Sequence, residues 1–529
     1  MDTTPLPKNY DIYVNGEEGR EPVRLTTDPA HDLHPSWSPD GRFVAFLRSS
    51  PTWRALMIVP ASGGAERTVT RLSTGADAWQ PDASIMRSPG PAWSPGGSLI
   101  AVADRVEGHA GDRQVPARIY LVSVPSGERR AVTSPGLHTL GDSMPAFSPS
   151  GDSIAFVRAS SQRGITDIYT VPSGGGEERR ITFDGKTVTG LAWATEERIV
   201  FTSNRAGPQM LWSMPAAGGR PELIAVAGRN VSGVSSSSTG RGKLAFVESF
   251  RNTNIWRLDL TRPGAPAERL IATTRRNDSP KYSPDGKRIV FGSDRSGAYE
   301  IWVSDTNGLG AKQITRFGGT AVGTPRWSPD GRNIVFDAGK DGRSVIYIVD
   351  GTGGAPRLFV EERWDSMMPS WSADGNFIYF ASRRDGEGLR VWKKPVSGGP
   401  AVQLTHITGG EAVEAVGGNL IYFSDGRNGL WQVSPDGTGE RPVPGFEHLR
   451  HSRYFAVSRR GFYFLRDVDV PWEIDHYDMR SRMTARVALI EKGIGYGLPN
   501  LSVSPDEHWL LYTQLDDSGS DILMLDGLR

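Results

Sequence analysis

A seven-residue motif recurs along the chain: a proline, any residue, an aromatic residue and Ser-Pro-Asp-Gly, with a short apolar run after it. Complete copies occupy Pro35–Gly41, Pro280–Gly286 and Pro325–Gly331. Looser copies occupy Pro91–Gly97, Pro145–Gly151 and Pro369–Gly375, and a late copy, Ser504-Pro505-Asp506, has Glu507 in place of the glycine. Proline presets φ, aspartate bonds to nearby backbone, and glycine accepts positive φ. The motif therefore predicts a tight turn between two antiparallel strands.

A third and a fourth strand follow the motif in each unit of the repeat. The third strand has sequences such as Asn254–Arg257 and Glu300–Val303, and a Gly-rich turn comes after it. The fourth strand often ends in Leu-Thr or Ile-Thr, as at Leu25-Thr26 and Ile314-Thr315. Four short antiparallel strands in about 45 residues are typical of a propeller blade. Blades packed in a ring bury both faces of each sheet, which one blade alone cannot do.

Eleven first strands follow from the spacing, and their centres lie at or near residues 37, 93, 147, 193, 236, 282, 327, 371, 415, 457 and 503. The predicted fold is all-β, with tandem β-propellers of about eleven to twelve four-stranded blades. Because propellers typically have four to eight blades, we expect two rings, residues 1–262 with about five repeats and residues 263–529 with about six. Asp11–Val14 and Pro22–Thr26 match third and fourth strands that lack their own first and second strands. Either they complete a blade formed elsewhere in the chain, or the chain is a fragment.

Composition excludes several classes of protein. Lysine and arginine total 60, and aspartate and glutamate also total 60, so we expect no nucleic-acid partner through this chain. The absence of cysteine excludes disulfides, thiolate metal sites and cysteine nucleophiles. The sequence begins without a secretory signal and has no apolar run of about 18 residues, so we expect no membrane segment. We expect a monomer that is cytoplasmic as written, or periplasmic if it belongs to a longer exported or membrane-anchored protein.

The repeat resembles the TolB-like group of propeller repeats, which is loosely related to WD repeats. The resemblance depends on Ser283–Phe291, Ser293–Gly297 and Glu300–Val303, and it covers nearly the whole chain. The tandem arrangement is similar to the C-terminal half of bacterial CadC-type transcriptional regulators, in which a winged-helix DNA-binding domain precedes the propeller region. This chain has no room for that domain. The resemblance implies the sensory part of a bacterial envelope or signalling protein.

The sequence predicts a binding scaffold rather than an enzyme. It contains no Gly-x-Ser-x-Gly nucleophile elbow, no EF-hand, no P-loop and no dinucleotide fingerprint, so we predict no catalytic residues and no cofactor. The expected partner is a protein, a peptide or a small ligand at a propeller face. The alternative is a channel-mouth hydrolase or lyase of the propeller type, with or without a metal.

Candidate binding residues lie just before first strands, where they would be near a channel mouth. They are His31, Asp32, His34, Asp142, Asp278, Asp365, His448 and His451. Each histidine pair has a spacing that can ligate zinc, but zinc needs a third ligand, and the alternative is exposed loop histidines. The alternative role for the aspartates is capping of turns by their side chains.

Overall fold

The computed structural model describes most of the chain, and the following structural statements refer to those residues. The described ranges are 10–15, 21–50, 52–73, 90–105, 116–136, 139–160, 166–225, 230–236, 243–319, 322–341, 343–384, 388–424, 429–447, 454–466, 471–492 and 501–526. Every regular element in these ranges is a β-strand. The predicted all-β fold, with tandem blades of four antiparallel strands, is therefore confirmed. Within these ranges, no helix has the length and apolar character to cross a bilayer.

The chain divides into two compact units. Unit 1 comprises Met1–Arg205, Gln209–Ser249 and Ser520–Arg529, and unit 2 comprises Ala206–Pro208 and Phe250–Gly519. Two long strands, β20 (Leu244–Asp259) and β43 (Trp509–Leu525), each have one part in each unit.

Unit 1 contains four sheets of four strands, which we call blades 1 to 4. Their strands are, for blade 1, β3 (His31–Trp37), β4 (Phe43–Ser49), β5 (Arg54–Pro60) and β6 (Arg67–Leu72); for blade 2, β7 (Ala92–Trp93), β8 (Leu99–Asp104), β9 (Arg118–Ser123) and β10 (Arg129–Ala131); for blade 3, β11 (Gly141–Phe147), β12 (Ser153–Ala159), β13 (Thr166–Pro172) and β14 (Arg179–Arg180); and for blade 4, β15 (Val188–Thr195), β16 (Arg198–Ser203), β17 (Met210–Pro215) and β18 (Glu222–Leu223).

Three shorter elements complete the described part of unit 1. Strand β19 (Val231–Ser236) pairs with the first part of β20, and we call these two strands blade 5. Strand β1 (Tyr13–Val14) pairs with β2 (Val23–Arg24). Ile12 and Leu25, next to β1 and β2, pack on the second and third strands of blade 1. Strands β1 and β2 therefore occupy the place of a third and a fourth strand in a blade that precedes blade 1.

Unit 2 contains five further four-stranded sheets, blades 6 to 10. Their strands are, for blade 6, β22 (Asn277–Tyr282), β23 (Arg288–Ser293), β24 (Glu300–Asp305) and β25 (Lys312–Gln313); for blade 7, β26 (Val322–Trp327), β27 (Asn333–Lys340), β28 (Arg343–Asp350) and β29 (Arg357–Val360); for blade 8, β30 (Ser366–Trp371), β31 (Phe377–Ser382), β32 (Arg390–Pro395) and β33 (Val402–Gln403); for blade 9, β34 (Ala412–Glu414), β35 (Ile421–Ser424), β36 (Leu430–Val433) and β37 (Arg441–Pro442); and for blade 10, β38 (Phe455–Val457), β39 (Gly461–Arg466), β40 (Trp472–Asp478) and β41 (Met483–Ile490).

A sixth sheet closes unit 2 into a ring. This sheet, blade 11, joins β42 (Ser502–Val503) and the first part of β43 from the end of the unit to β20 and β21 (Glu268–Ile271) from its beginning. Its first strand β42 contacts both β38 and β22, while β22, β26, β30 and β34 contact one another in sequence. Blades 9 and 10 share an aromatic core cluster. The first strands of blades 6 to 11 therefore surround the axis of unit 2.

The Ser-Pro-Asp-Gly motif forms the turn between the first and second strands through one repeated network. In blade 6, the Ser283 hydroxyl donates to Asp285 Oδ1 at 2.5 Å and accepts the Arg288 N–H at 2.9 Å. Gly286 has a φ of +69°, which glycine adopts without steric cost. Glu507 has a φ of +60° in the copy that lacks glycine, so the turn keeps its shape there at the expense of backbone strain.

The threonine at the end of many fourth strands has a defined structural role. Its hydroxyl accepts the N–H of a third-strand residue fourteen positions earlier, as Thr315 does from Ile301 at 2.9 Å. The same bond joins the pairs Thr26 and Ile12, Thr133 and Ile119, Thr182 and Ile168, and Thr405 and Val391. The threonine hydroxyl and the third-strand N–H are both buried. The bond therefore gives this N–H an acceptor at a point that the short fourth strand does not reach.

The turn carboxylates predict a dependence of stability on pH. A hydrogen bond from Ser328 lowers the pKa of Asp330 from its usual 3.8. A group whose pKa is depressed by folding contributes stability above its unfolded pKa, and that contribution is lost as the pH falls through the lower folded value. We expect Asp330→Asn to be less stable than wild type above about pH 5, with the difference vanishing in more acidic solution. Urea titrations at several pH values measure this; a difference that persists at low pH would contradict the expectation.

Candidate functional site

The first strands carry a bulge at the residue before the motif proline. The register with the second strand shifts by one residue there, between Asp278 and Lys281 in blade 6 and between Gly323 and Arg326 in blade 7. The residue before the proline has a positive φ, and these residues are His34, Met144, Ser279, Thr324 and Met368, with φ from +47° to +57°. Non-glycine residues rarely adopt this conformation, and it costs about 1 kcal/mol at each site.

A buried carboxylate supports the bulge of blade 7. Asp337, on β27, accepts the Thr324 hydroxyl at 2.8 Å with one oxygen and the Met368 N–H at 2.9 Å with the other. Asp337 is fully buried. It therefore joins the bulge of blade 7 to that of blade 8, which fixes two first strands relative to each other.

The residue before the motif aromatic differs between the two units. In blades 6 and 7 it is Lys281 and Arg326, which pair with Val290 and Val335. At the same register in unit 1 the residues are small, namely Ser36, Ala92, Ala146 and Ala192. In β22 and β26, Lys281 and Arg326 are partly exposed while the other residues are buried. Two cations are thus the accessible side chains of two neighbouring first strands.

Arg326 forms an ion pair with Glu411, which lies just before the first strand of blade 9. The pair connects blade 7 to blade 9 and passes blade 8, so it spans the inner part of the ring. Glu411 is 3% exposed. A Cβ at the preceding Gly410 would lie 2.9 Å from the Ser424 hydroxyl, which would have to shift. We call Lys281, Arg326 and Glu411 the central cluster.

Lys281 has a different environment from Arg326. Its ammonium donates to the backbone carbonyl of Leu501, next to β42 of blade 11. Burial, followed by repulsion from Arg326, holds the pKa of Lys281 well below its usual value. The central cluster thus contains two cationic side chains and one carboxylate, and the carboxylate is paired with Arg326.

The predicted site residues of blades 1 and 3 form buried ion pairs. Asp32 accepts from Arg48 with both oxygens, at 2.6 and 2.7 Å, and Asp142 accepts from Arg158 in the same way, at 2.6 and 2.9 Å. Burial raises the pKa of both carboxyls, and the arginines oppose that effect. Each arginine also lies over a core phenylalanine. Asp32 and Asp142 therefore join first and second strands within their blades.

His31 and His34 lie on β3 and have separate surroundings. The His31 ring contacts Tyr10, with centroids 5.4 Å apart, and its Nδ1 accepts the Tyr10 N–H at 3.3 Å. His34 is the positive-φ residue of blade 1, and burial lowers its pKa to about 4, so it is neutral at neutral pH. Among the described residues, no group of three histidine, aspartate or glutamate side chains could hold a metal ion.

The remaining candidates belong to the second half of the chain. Asp278 accepts hydrogen bonds from Arg276 and from the Tyr299 hydroxyl. Asp365 accepts the Ser344 N–H at 2.7 Å, a capping contact with the neighbouring hairpin. His448 and His451 lie outside the described residues. The structure does not gather these candidates into one site, and their binding role stays a prediction.

The sequence analysis missed Lys281, Arg326 and Glu411. Lys281 and Arg326 occupy the unspecified position of the motif, and comparison of that position across copies would have found them. Glu411 lies in a copy without the motif. Only the ring shows that it meets Arg326.

Comparisons with known proteins agree with the architecture. Residues 83–308 and 301–441 match the TolB beta propeller domain, PD40, over more than half of the chain. An uncharacterized peptidase of Bacillus subtilis (strain 168), YuxL, is 31% identical over 178 residues, 28% of this chain and 24% of that protein. The match thus spans about a quarter of the relative's length.

Two solved structures are similar at low identity. A putative TolB from Agrobacterium tumefaciens shares 21% identity with a TM-score of 0.40, covering 50% of this chain and 99% of its own. TolB from Acinetobacter baumannii shares 16% identity with a TM-score of 0.31, covering 72% and 86%. The resemblance to CadC-type regulators stays a prediction. The TolB-like resemblance is confirmed by the domain match, and the chain belongs to the TolB β-propeller domain family, PD40.

Proposed function

We propose that this TolB-like propeller is a binding scaffold whose unit 2 receives a peptide, protein segment or small ligand at the central cluster. The observation that carries the proposal is the partial exposure of Lys281 and Arg326 within strands whose other residues are buried. A partly exposed charge on a rigid frame is a feature of recognition sites, in which a few polar groups orient the ligand. The sensory role in a bacterial envelope or signalling protein belongs to the same proposal.

The fold does not require charges at these positions. Blades 1 to 4 form the same type of sheet with serine or alanine at the equivalent register. Buried or half-buried charges reduce stability unless they are paired, so a lysine is a costly choice for packing alone. A ligand that contacts the two cations accounts for their presence.

The alternative function is hydrolysis, since the relative in Bacillus subtilis is named a peptidase. Ser458 Oγ lies 3.3 Å from His476 Nε2 in blade 10, and burial lowers the pKa of His476, so the neutral ring can accept a proton. However, Ser458 is the serine of the first turn, and its N–H donates to Gly461 as the turn requires. The turn accounts for this contact, so binding is the function that we favour.

A pool of short random peptides carrying a photo-cross-linker tests the proposal on the full chain. We expect peptides to be retained intact and to cross-link to β22, β26 or the segment before β34, as mass spectrometry would locate. No retention, or cross-links confined to fourth strands, would overturn the proposal. Cleavage of the peptides would instead support hydrolysis, provided that Ser458→Ala abolishes the cleavage and the matched turn variant Ser372→Ala retains it.

A further inference from the structure

The central cluster has more positive than negative groups. Two cations, Lys281 and Arg326, share one carboxylate, Glu411, and that carboxylate is bound to Arg326. The contact described for the Lys281 ammonium is with the neutral carbonyl of Leu501. An ammonium has three donor hydrogens, and a carbonyl takes one of them. Among the described residues, the Lys281 ammonium therefore contacts no carboxylate.

From this juxtaposition we propose that the central cluster of unit 2 binds the carboxylate group of a ligand, with Lys281 as the direct contact and Arg326 beside it. The inference rests on the proposed function and names the chemistry that the scaffold recognises. A carboxylate accepts charge-assisted hydrogen bonds, and its charge offsets the repulsion between the two cations. Polar groups nearby, such as Ser370 and Ser502, occupy the same register on other blades.

The geometry also favours one anionic group rather than several. Arg326 is held by Glu411, whose side chain is 4% exposed, so that arginine is oriented before a ligand arrives. Preorganisation of this kind lowers the entropic cost of binding. Neither blade 9 nor blade 10 has a cation at the equivalent position, since Val413 and Ala456 stand there. At this register position of the described first strands, the positive groups lie on two adjacent blades.

The test uses the full chain and N-acetyl-trialanine as a free acid, its C-terminal amide and acetate, in isothermal titrations. We expect the free acid to bind about tenfold or more tightly than the amide, because the amide removes the charge. If acetate competes with the peptide acid, a small free carboxylate is sufficient for binding. If the peptide acid binds and acetate does not compete, the site recognises the C-terminal carboxylate of a peptide. Equal binding of acid and amide, or no binding of either carboxylate, would overturn the inference.

Variants assign the effect to Lys281. Lys281→Met is expected to weaken binding of the acid about tenfold and Lys281→Arg to retain it, while Lys312→Met, at an exposed lysine of β25, leaves it unchanged. Thermal unfolding confirms that each variant folds. Affinity should also fall as the pH rises, because Lys281, whose pKa burial lowers, loses its proton in that direction while Arg326 stays charged. Unchanged affinity in a folded Lys281→Met would overturn the inference.

These outcomes separate the inference from the proposed function. Random peptides could cross-link to the first strands of unit 2 and yet bind equally well when their C-termini are amidated or when the protein carries Lys281→Met. That result would support the scaffold function and overturn the inference of carboxylate binding. If the protein retained no peptide at all, both the scaffold function and the carboxylate inference would be overturned.

Discussion

Replacing Phe336 with alanine is expected to destabilise unit 2 by about 3–5 kcal/mol, a large effect for a single substitution. Phe336 is fully buried on β27 and packs with Val290 and Ile301 of blade 6. It also stacks on Tyr347, with centroids 5.6 Å apart. Its removal leaves a cavity between two blades, and the closed ring restricts how far they can collapse into it.

Denaturant titrations of the full chain measure this loss as a shift of the midpoint. Leu309→Ala is the matched control, because Leu309 lies in the same unit with 67% of its surface exposed and should change stability by about 0.5 kcal/mol or less. Similar losses for the two variants would show that Phe336 does not pack between blades.

Replacing Arg326 with methionine is expected to destabilise unit 2 by about 3 kcal/mol, because Glu411 would then be a buried carboxylate without its guanidinium. The side chains of Arg326 and Glu411 are 11% and 4% exposed, so solvent screens the pair weakly. Glu411→Gln should cost less, since the amide oxygen of glutamine can still accept a hydrogen bond from Arg326. The double variant should be more stable than Arg326→Met alone, because no uncompensated carboxylate remains.

Urea titrations of the two single variants and the double variant form a double-mutant cycle, which isolates the coupling between the residues. Lys340→Met, Glu361→Gln and their double variant form the control cycle, since Lys340 pairs with Glu361 on the surface and such exposed pairs contribute little to stability. A coupling no larger than that of the control would mean that the ion pair does not join blades 7 and 9.

The blade repeat could be predicted from sequence because its signals are local. Turn residues such as Ser283 and Asp285 form hydrogen bonds with groups only a few positions away, and the structure shows that network. The fourth-strand threonine is also visible in sequence as Leu-Thr or Ile-Thr, although sequence does not show its bond to the third strand. The boundary between rings at residues 262 and 263 stays a prediction, and the two compact units meet near residue 250, within the continuous strand β20. A strand that continues through such a point carries no breaker residue to mark it.

The candidate site was less accessible to sequence reasoning. Polar residues before first strands are candidates because functional residues are frequent on loops. Asp32 and Asp142, however, lie in ion pairs with arginines of their own blades. Their partners are on the next strand, sixteen residues later, and a single sequence shows many such charges without showing which are buried.

Local sequence specifies the blade, because strand alternation and turn chemistry act over a few residues and repeat wherever the motif repeats. Closure of blades 6 to 11 into a ring, and the contact of Arg326 with Glu411, 85 residues away, arise only in the folded unit. Ring closure brings together residues that share no local signal, since their distance depends on how many blades surround the axis. The charge at the centre of unit 2 is therefore a property of the assembled ring.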